Sequence, residues 1–166
     1  MAYEFRTKRR VEFAETDMAG IIHFTSLFRY MEETEHAFFR SLGLSIVTRH
    51  NGQKIGWPRV ATSCEFFRPV VFEDEVEIHL WVSRKGKSSL THSFAFYKDD
   101  TLIARGQSTS VCCAQGGNRS LRRIPIPPFI NKKIEAAPFA GDPAPRPSAR
   151  RKQTKRLRQP GRKHSK

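Results

Sequence analysis

The sequence predicts an α+β domain in which one long helix sits between a first strand and a run of antiparallel strands. Three observations carry this: a single segment has sustained helical spacing, a strand-like segment precedes it, and most of the chain beyond it breaks into short alternating runs. Residues 3–13 alternate loosely, with Tyr3, Phe5, Val11 and Phe13 at the apolar positions, and are predicted as the first strand. Residues 14–24 form a turn-like stretch containing Asp17, Ala19 and Gly20. In residues 25–42, Leu27, Tyr30, Met31, Phe38 and Leu42 recur at helical spacing. Thr25 or Ser26 is placed to cap the start, and Gly43 marks the stop. At about 1.5 Å per residue such a helix is about 27 Å long. Further strands are predicted over residues 61–67, which run into Arg68-Pro69, and over 73–82, 89–97 and 101–113. Asp99-Asp100 is the turn between the last two. A sheet wrapped on one helix leaves a face or an edge in need of cover, so at least a dimer is expected.

Composition bounds the function. The chain has 166 residues, 38% apolar and including 13 Phe, enough for one core. No run approaches the roughly 20 apolar residues of a membrane span. The opening MAYEFRTKRR has no apolar stretch after its charges, so a secretory leader is not expected. Three cysteines, Cys64, Cys112 and Cys113, are too few for a disulfide framework, and a cytoplasmic setting is the default. The net charge of +14 is unevenly placed. Residues 143–166 hold ten Lys or Arg and no acid, which leaves +4 for residues 1–142. With Pro138, Pro143, Pro145 and Pro147 alongside, residues 136–166 are expected to be a disordered basic tail on a folded unit spanning 1–135. Such a tail suits an anionic partner (nucleic acid, ribosome or an acidic membrane surface), and equally a solvated, solubilising extension.

Most catalytic motifs drop out. Gly86-Lys87-Ser88 looks like the end of a phosphate loop, but Trp81 stands where the earlier glycine belongs and the segment lies between strands. The histidines have no close-spaced partner and Cys112-Cys113 are adjacent, so no structural metal is expected. There is no Gly-x-Ser-x-Gly elbow, and Cys112 and Cys113 fall in an apolar strand, where a buried thiol is usually inert. The stretch that stays is residues 11–24, VEFAETDMAGIIHF, which sets Asp17 in a loop about seven residues before a helix. The free N–H groups of a first helical turn favour developing negative charge and can hold a carbonyl oxygen as it becomes an oxyanion. A nearby carboxylate can attack that carbonyl or deprotonate water. By spacing alone, an Asp before a helix can equally be a turn or capping residue.

Taken together, several segments resemble the 4-hydroxybenzoyl-CoA thioesterase family of hot-dog-fold enzymes. They are Val11-x-Phe13-x-x-x-Asp17-x-Ala19-Gly20-Ile21-Ile22, the helix ending in RSLG at 40–43, RKGKSS at 84–89, LIARG at 102–106 and LRRIPIP at 121–127. The likeness covers about residues 3–130. It implies a long helix wrapped by an antiparallel sheet, a homodimer or homotetramer, an acyl-CoA substrate bound at the dimer interface, and no cofactor. Carried over by position, Asp17 would be the catalytic nucleophile or general base. The Phe24 backbone N–H would polarise the thioester carbonyl, and Gly20 would permit close approach of chain and substrate. Glu32 matches an acidic position near the site, while Lys87, Ser88 and Arg122 match positions that hold the CoA nucleotide and its phosphates. His23-Phe24 stand where many bacterial relatives have Tyr-His, so His23 would line the acyl pocket, orient a water or cap the helix. Leu27 replaces an aromatic, which leaves aliphatic and other aryl acyl groups open. The expected activity is thioester hydrolysis to free acid and coenzyme A. Two alternatives remain: an acyl-CoA sensor without turnover, and a nucleic-acid-associated protein acting through the basic tail.

Overall fold

The computed structural model describes residues 1–117 and 120–139. The expected basic tail falls almost wholly outside them. β1 (Glu4–Arg10) leads through a 3₁₀ turn (Phe13–Glu15) to the long helix α1 (Phe24–Ser41). Short strands β2 (Thr48–His50) and β3 (Gln53–Gly56) come after it. The longer strands are next, β4 (Arg59–Phe66), β5 (Glu75–Lys85), β6 (Ser89–Lys98) and β7 (Thr101–Val111). β8 (Cys113–Gln115), β9 (Leu121–Arg123) and a short helix α2 (Pro128–Asn131) complete the fold. An antiparallel five-stranded sheet in the order β1-β5-β6-β7-β4 carries α1 on one face. A second sheet has the order β2-β3-β8-β9. This is the hot-dog arrangement, and the α+β expectation holds.

The helix forms where predicted, but His23 caps it rather than Thr25 or Ser26: the His23 Nδ1 accepts from the Thr25 N–H at 3.4 Å. At the other end Gly43 has a φ of +65°. Its N–H bonds to Arg40 O and the Leu44 N–H to Phe39 O, both at 2.9 Å, the paired bonds of a Schellman stop. Tyr30, Met31, Phe38 and Phe39 are fully buried against Ile78, Leu80, Phe94 and Phe96 of the sheet. Each such side chain stabilises the fold by about 1.5–3 kcal/mol. Helix and sheet approach closely at Gly106, where an added Cβ would overlap the Met31 sulfur. Glycine is needed there because Met31 fills the space a side chain would take.

The predicted first strand runs too far. It ends at Arg10, and Phe13 lies in the 3₁₀ turn with its ring exposed. The predicted strand over 101–113 is really two. It breaks at Cys112, whose N–H turns to Ser88 O at 2.8 Å, and Cys113 begins the second sheet. β2 and β3 were not predicted, although Asn51 (φ +50°) and Gly52 (φ +75°) form the Asn-Gly hairpin turn between them. The far face of the main sheet carries Trp81, Ala95 and Tyr97 under Ala137 and Phe139. The Ala137 N–H donates to Val82 O at 2.8 Å, so the described chain stays packed past residue 135. Edge strand β4 exposes Val60 and Phe66. No helix among the described residues is long and apolar enough to cross a membrane.

One polar group of residues is sealed between α1 and the sheet. Glu35 accepts from Arg59 at 2.8 Å and from the Ser110 hydroxyl at 3.4 Å. His92 is fully buried, with its Nδ1 3.8 Å from Glu35, too far for a hydrogen bond. Burial, reinforced by the Arg59 charge, pushes the His92 imidazole down to about 3. Burial raises Glu35 against the lowering by Arg59 and Ser110. His92 is therefore neutral in the folded chain, while the unfolded chain takes up its proton near pH 6.5. Between those values the unfolded state binds the extra proton, so stability from this group falls as pH falls, by up to about 1.4 kcal/mol per pH unit. In urea denaturation from pH 7 to pH 4.5, His92→Leu is expected to show a shallower loss of stability than the parent chain. Equal slopes would remove His92 from the acid sensitivity.

Candidate active site

Three short segments build a cleft at the start of α1. The loop after β1 brings Asp17, and the turn into the helix brings Ile21, Ile22 and Phe24. The residues after β4 bring Phe67, Arg68 and Val70. Leu27 of the helix and Ile103 of β7 lie at the bottom, and the cleft measures about 400 Å³. Backbone bonds hold these segments together. The Asp17 N–H donates to Ile21 O at 2.9 Å, Ile22 to Val70 O at 2.8 Å, and Phe67 to Ile103 O at 2.8 Å.

Asp17 is exposed, and its Oδ1 accepts from the Ala19 N–H at 2.8 Å. It thus closes a side-chain turn and still faces the cleft. Gly20 has a φ of +76° and open space where a Cβ would lie, so the backbone conformation is what calls for glycine in this chain. Phe24 is the first helical residue, and its N–H has no acceptor among the described residues. It is one of the orphan donors of a helix start, and Phe24 lines the same largely apolar cleft as Asp17.

The remaining expected residues lie elsewhere. His23 does not line the cleft; its ring holds the helix cap and sits 2.6 Å from the Thr25 hydroxyl. Glu32 is exposed on the helix, and the buried acid of α1 is Glu35. Lys87 and Ser88 line a second hollow of about 260 Å³ with Arg123, Ile124 and Pro125. There the Arg123 Nε donates to the buried Ser88 hydroxyl. Arg122 reaches Gln53 at 3.4 Å. Arg123 was not predicted. Adjacent residues of a strand point to opposite faces, and only the sheet register shows which of the two arginines meets Ser88.

A second unpredicted feature is Glu15. Its carboxylate accepts from the Tyr30 hydroxyl, the Glu12 N–H at 2.9 Å, Arg29 at 3.2 Å and Arg9 at 3.3 Å. Its carbonyl accepts from the His23 N–H at 2.7 Å and the Ser26 hydroxyl at 3.3 Å. Burial raises the Glu15 carboxyl, but these donors outweigh it and hold the group below its usual value. Burial and the bond to Glu15 push the Tyr30 hydroxyl up. Glu15 thus ties the Asp17 loop to the helix start. The sequence offered a signal: Glu12 and Glu15 sit at capping-box spacing.

Residues 11–134 match the family described as the thioesterase-like superfamily. A protein of Aquifex aeolicus that carries an esterase name is 31% identical over 113 residues, 68% of this chain and 87% of that protein. A 1,4-dihydroxy-2-naphthoyl-CoA hydrolase of Prochlorococcus marinus is 28% identical over 133 residues, 76% of this chain and 77% of the relative. The structure of a gentisyl-coenzyme A thioesterase superposes with a TM-score of 0.66 at 27% identity, covering 76% of this chain and 99% of the other. These likenesses are broader than the 4-hydroxybenzoyl-CoA resemblance. The two named activities act on other hydroxylated aryl thioesters of coenzyme A.

Tyr30→Phe is expected to leave the Glu15 carboxylate one donor short and to destabilise the chain by about 1–3 kcal/mol, read by chemical denaturation at pH 7. Unchanged stability would mean that the hydroxyl contributes nothing to holding the loop.

Proposed function

We propose that this chain, which belongs to the thioesterase-like superfamily, is an acyl-CoA thioesterase that releases a free acid and coenzyme A. The observation that carries the reading is that Asp17 and Phe24, whose N–H has no acceptor among the described residues, line one largely apolar cleft. In this reading the carbonyl oxygen of the thioester accepts from the Phe24 N–H, and the field of α1 favours the negative charge that grows there. Asp17 attacks the carbonyl carbon or takes a proton from a water that attacks it. The carbon–sulfur bond then breaks. Coenzyme A departs as a thiolate, which needs little acid help because an ordinary thiol has a pKa near 8.5. Attack by Asp17 itself gives a mixed anhydride that water opens; attack by water gives the acid directly.

Lys87, Ser88 and Arg123 fit the nucleotide end of the substrate, because cations and hydroxyls are what phosphate oxygens need. Arg122, matched by resemblance, serves the same end from the neighbouring position. His23 acts through the helix cap, and Glu32 is an exposed acid of the helix. The narrower kinship to 4-hydroxybenzoyl-CoA thioesterases, the homodimer or homotetramer and the cytoplasmic setting belong to the same reading. The exposed Val60 and Phe66 on edge strand β4 favour pairing with a second copy.

Asp17→Asn is expected to lower turnover of the best acyl-CoA at least about a hundredfold while leaving thermal stability unchanged, as removal of a key catalytic group does. An unaltered rate would take Asp17 out of the reaction. Binding without turnover in the parent chain would favour the acyl-CoA sensor instead.

The charge run favours a second activity alongside hydrolysis. Residues 140–166 carry ten Lys or Arg and one acid, lie beyond the matched family region, and come directly after Phe139. That residue packs on Trp81, on the sheet face away from the helix and the cleft. These residues suit nucleic acid, held by charge. Removing 140–166 is expected to abolish retention on immobilised nucleic acid at low salt and to leave thioester hydrolysis within about twofold. Loss of hydrolysis would show that the extension serves the site.

A further inference from the structure

Asp17 stands on a small hairpin. The Glu15 carbonyl accepts from the His23 N–H at 2.7 Å, Thr16 and Ile22 face each other as an antiparallel bridge, and the Asp17 N–H donates to Ile21 O at 2.9 Å. Glu15 and His23 are thus the foot of the hairpin. Asp17 is two residues up one arm, and Phe24 follows the foot of the other arm as the first residue of α1. The segment after β4 clamps the second arm, where Ile22 donates to Val70 O at 2.8 Å and Ile21 bridges to Val71. Asp74 holds that segment in turn, accepting from the Val71 N–H at 2.9 Å and from Lys98 of β6 at 2.7 Å. The Asp17 side chain is exposed and bonds within its own turn, to the Ala19 N–H. Its place relative to α1 is therefore inherited from the foot, and the foot is tied to β1 and to α1 through the Glu15 carboxylate.

Given the thioesterase reading above, we infer that Glu15 is a positioning residue of the reaction: its buried carboxylate holds the foot of the Asp17 hairpin against the first turns of α1, and turnover depends on it through Asp17. The carboxylate, as an acceptor, meets donors alone: the Tyr30 hydroxyl, the Glu12 N–H, Arg29 and Arg9. A carboxamide of the same size would turn an NH₂ toward one of these donors and leave a buried pairing unmade. The foot then shifts, and Asp17 shifts with it. A misplacement of about 1 Å at a reacting group is enough to cost about a hundredfold in rate. The cleft itself keeps its walls, because Phe67 is bonded to Ile103 and Ile22 to Val70 through their own backbones. Loss of the Glu15 charge is therefore a loss of rate rather than of substrate binding.

The experiment uses the full chain and reads thiol release from the acyl-CoA that the parent turns over fastest. Glu15→Gln is expected to lower kcat at least about tenfold with KM held within about twofold. Placed on Asp17→Asn, the same change is expected to lower the residual rate by less than about twofold, because the route through Asp17 is already gone. Full multiplication of the two losses would mean general damage to the fold and would overturn the inference, as would an unchanged kcat in Glu15→Gln. Should Glu15→Gln fail to fold, Arg29→Gln removes one donor from the more exposed side of the group. It is expected to lower kcat at least about twofold at constant KM, the size of one charged hydrogen bond or less, and an unchanged kcat there would also count against Glu15. Amide hydrogen exchange gives a reading that needs no substrate. In either variant the Asp17 and His23 amides are expected to exchange at least about tenfold faster than in the parent, while those of β5 and β6 stay unchanged. Unchanged exchange at both would overturn the inference and leave the thioesterase reading standing. No turnover by the parent on any thioester, with the faster exchange present, would overturn the thioesterase reading and leave Glu15 as the anchor of the hairpin.

Discussion

The carboxylate of Glu15 is the interaction on which the site depends. It is buried, so its charge must be met, and the donors that meet it come from three places: β1 through Arg9, the loop through the Glu12 N–H, and the helix through Tyr30 and Arg29. The guanidinium of Arg9 also lies 4.9 Å from the centre of the Tyr30 ring and pairs with Glu33 at 3.2 Å. A loop that had only its backbone to hold it would wander relative to the helix. Here one side chain ties it to the first two turns of α1, and the carbonyl of the same residue takes the N–H of the residue that caps them. The separation between Asp17 and the helix start is therefore set by a charged, desolvated group. Such contacts are stronger than exposed ion pairs, and they are also costly to break.

The helix is positioned by packing at its middle and by charge at both ends. Gly106 lets Met31 settle onto the sheet, which brings the buried aromatic face of α1 into contact along its length. Toward the C-terminal end, Glu35 bonds to Arg59 of β4, so the edge strand is tied to the helix by a buried pair. His92 lies beside that pair without a hydrogen bond to either of its ring nitrogens. It packs against Phe38 and Phe39 as a flat apolar group would. A histidine used in this way is stable only while it stays neutral, which links the helix–sheet seam to acid pH.

Much of this was legible in order along the chain. The apolar spacing from Leu27 to Phe38 located α1, and Gly43 marked its end because a left-handed residue was needed there. The four predicted long strands survive as β4 to β7, and Asp99-Asp100, both at positive φ, form the turn between β6 and β7. The second sheet was missed because its strands are three or four residues long, too short for a period-two pattern to register. Asp17 and Phe24 were named from the sequence, and the structure places both on one cleft. Arg123, Glu15 and Phe67 were not, since each gains its meaning from a neighbour distant in sequence.

What the sequence determined by itself was local: where the helix starts and stops, which segments extend, and which loop carries a carboxylate just ahead of a helix. Those features arise from side-chain periodicity, capping and turn chemistry, all of which act over a few residues. What only the tertiary structure decided was adjacency. Val70 and Ile103 lie far from Asp17 along the chain, yet they line the cleft that Asp17 faces. Which of two neighbouring arginines meets Ser88 depends on strand register, and which acid of α1 is buried depends on how the helix rolls against the sheet. Register and roll are set by the packing of the whole core. No short stretch of sequence specifies them, because each is the outcome of many contacts made at once.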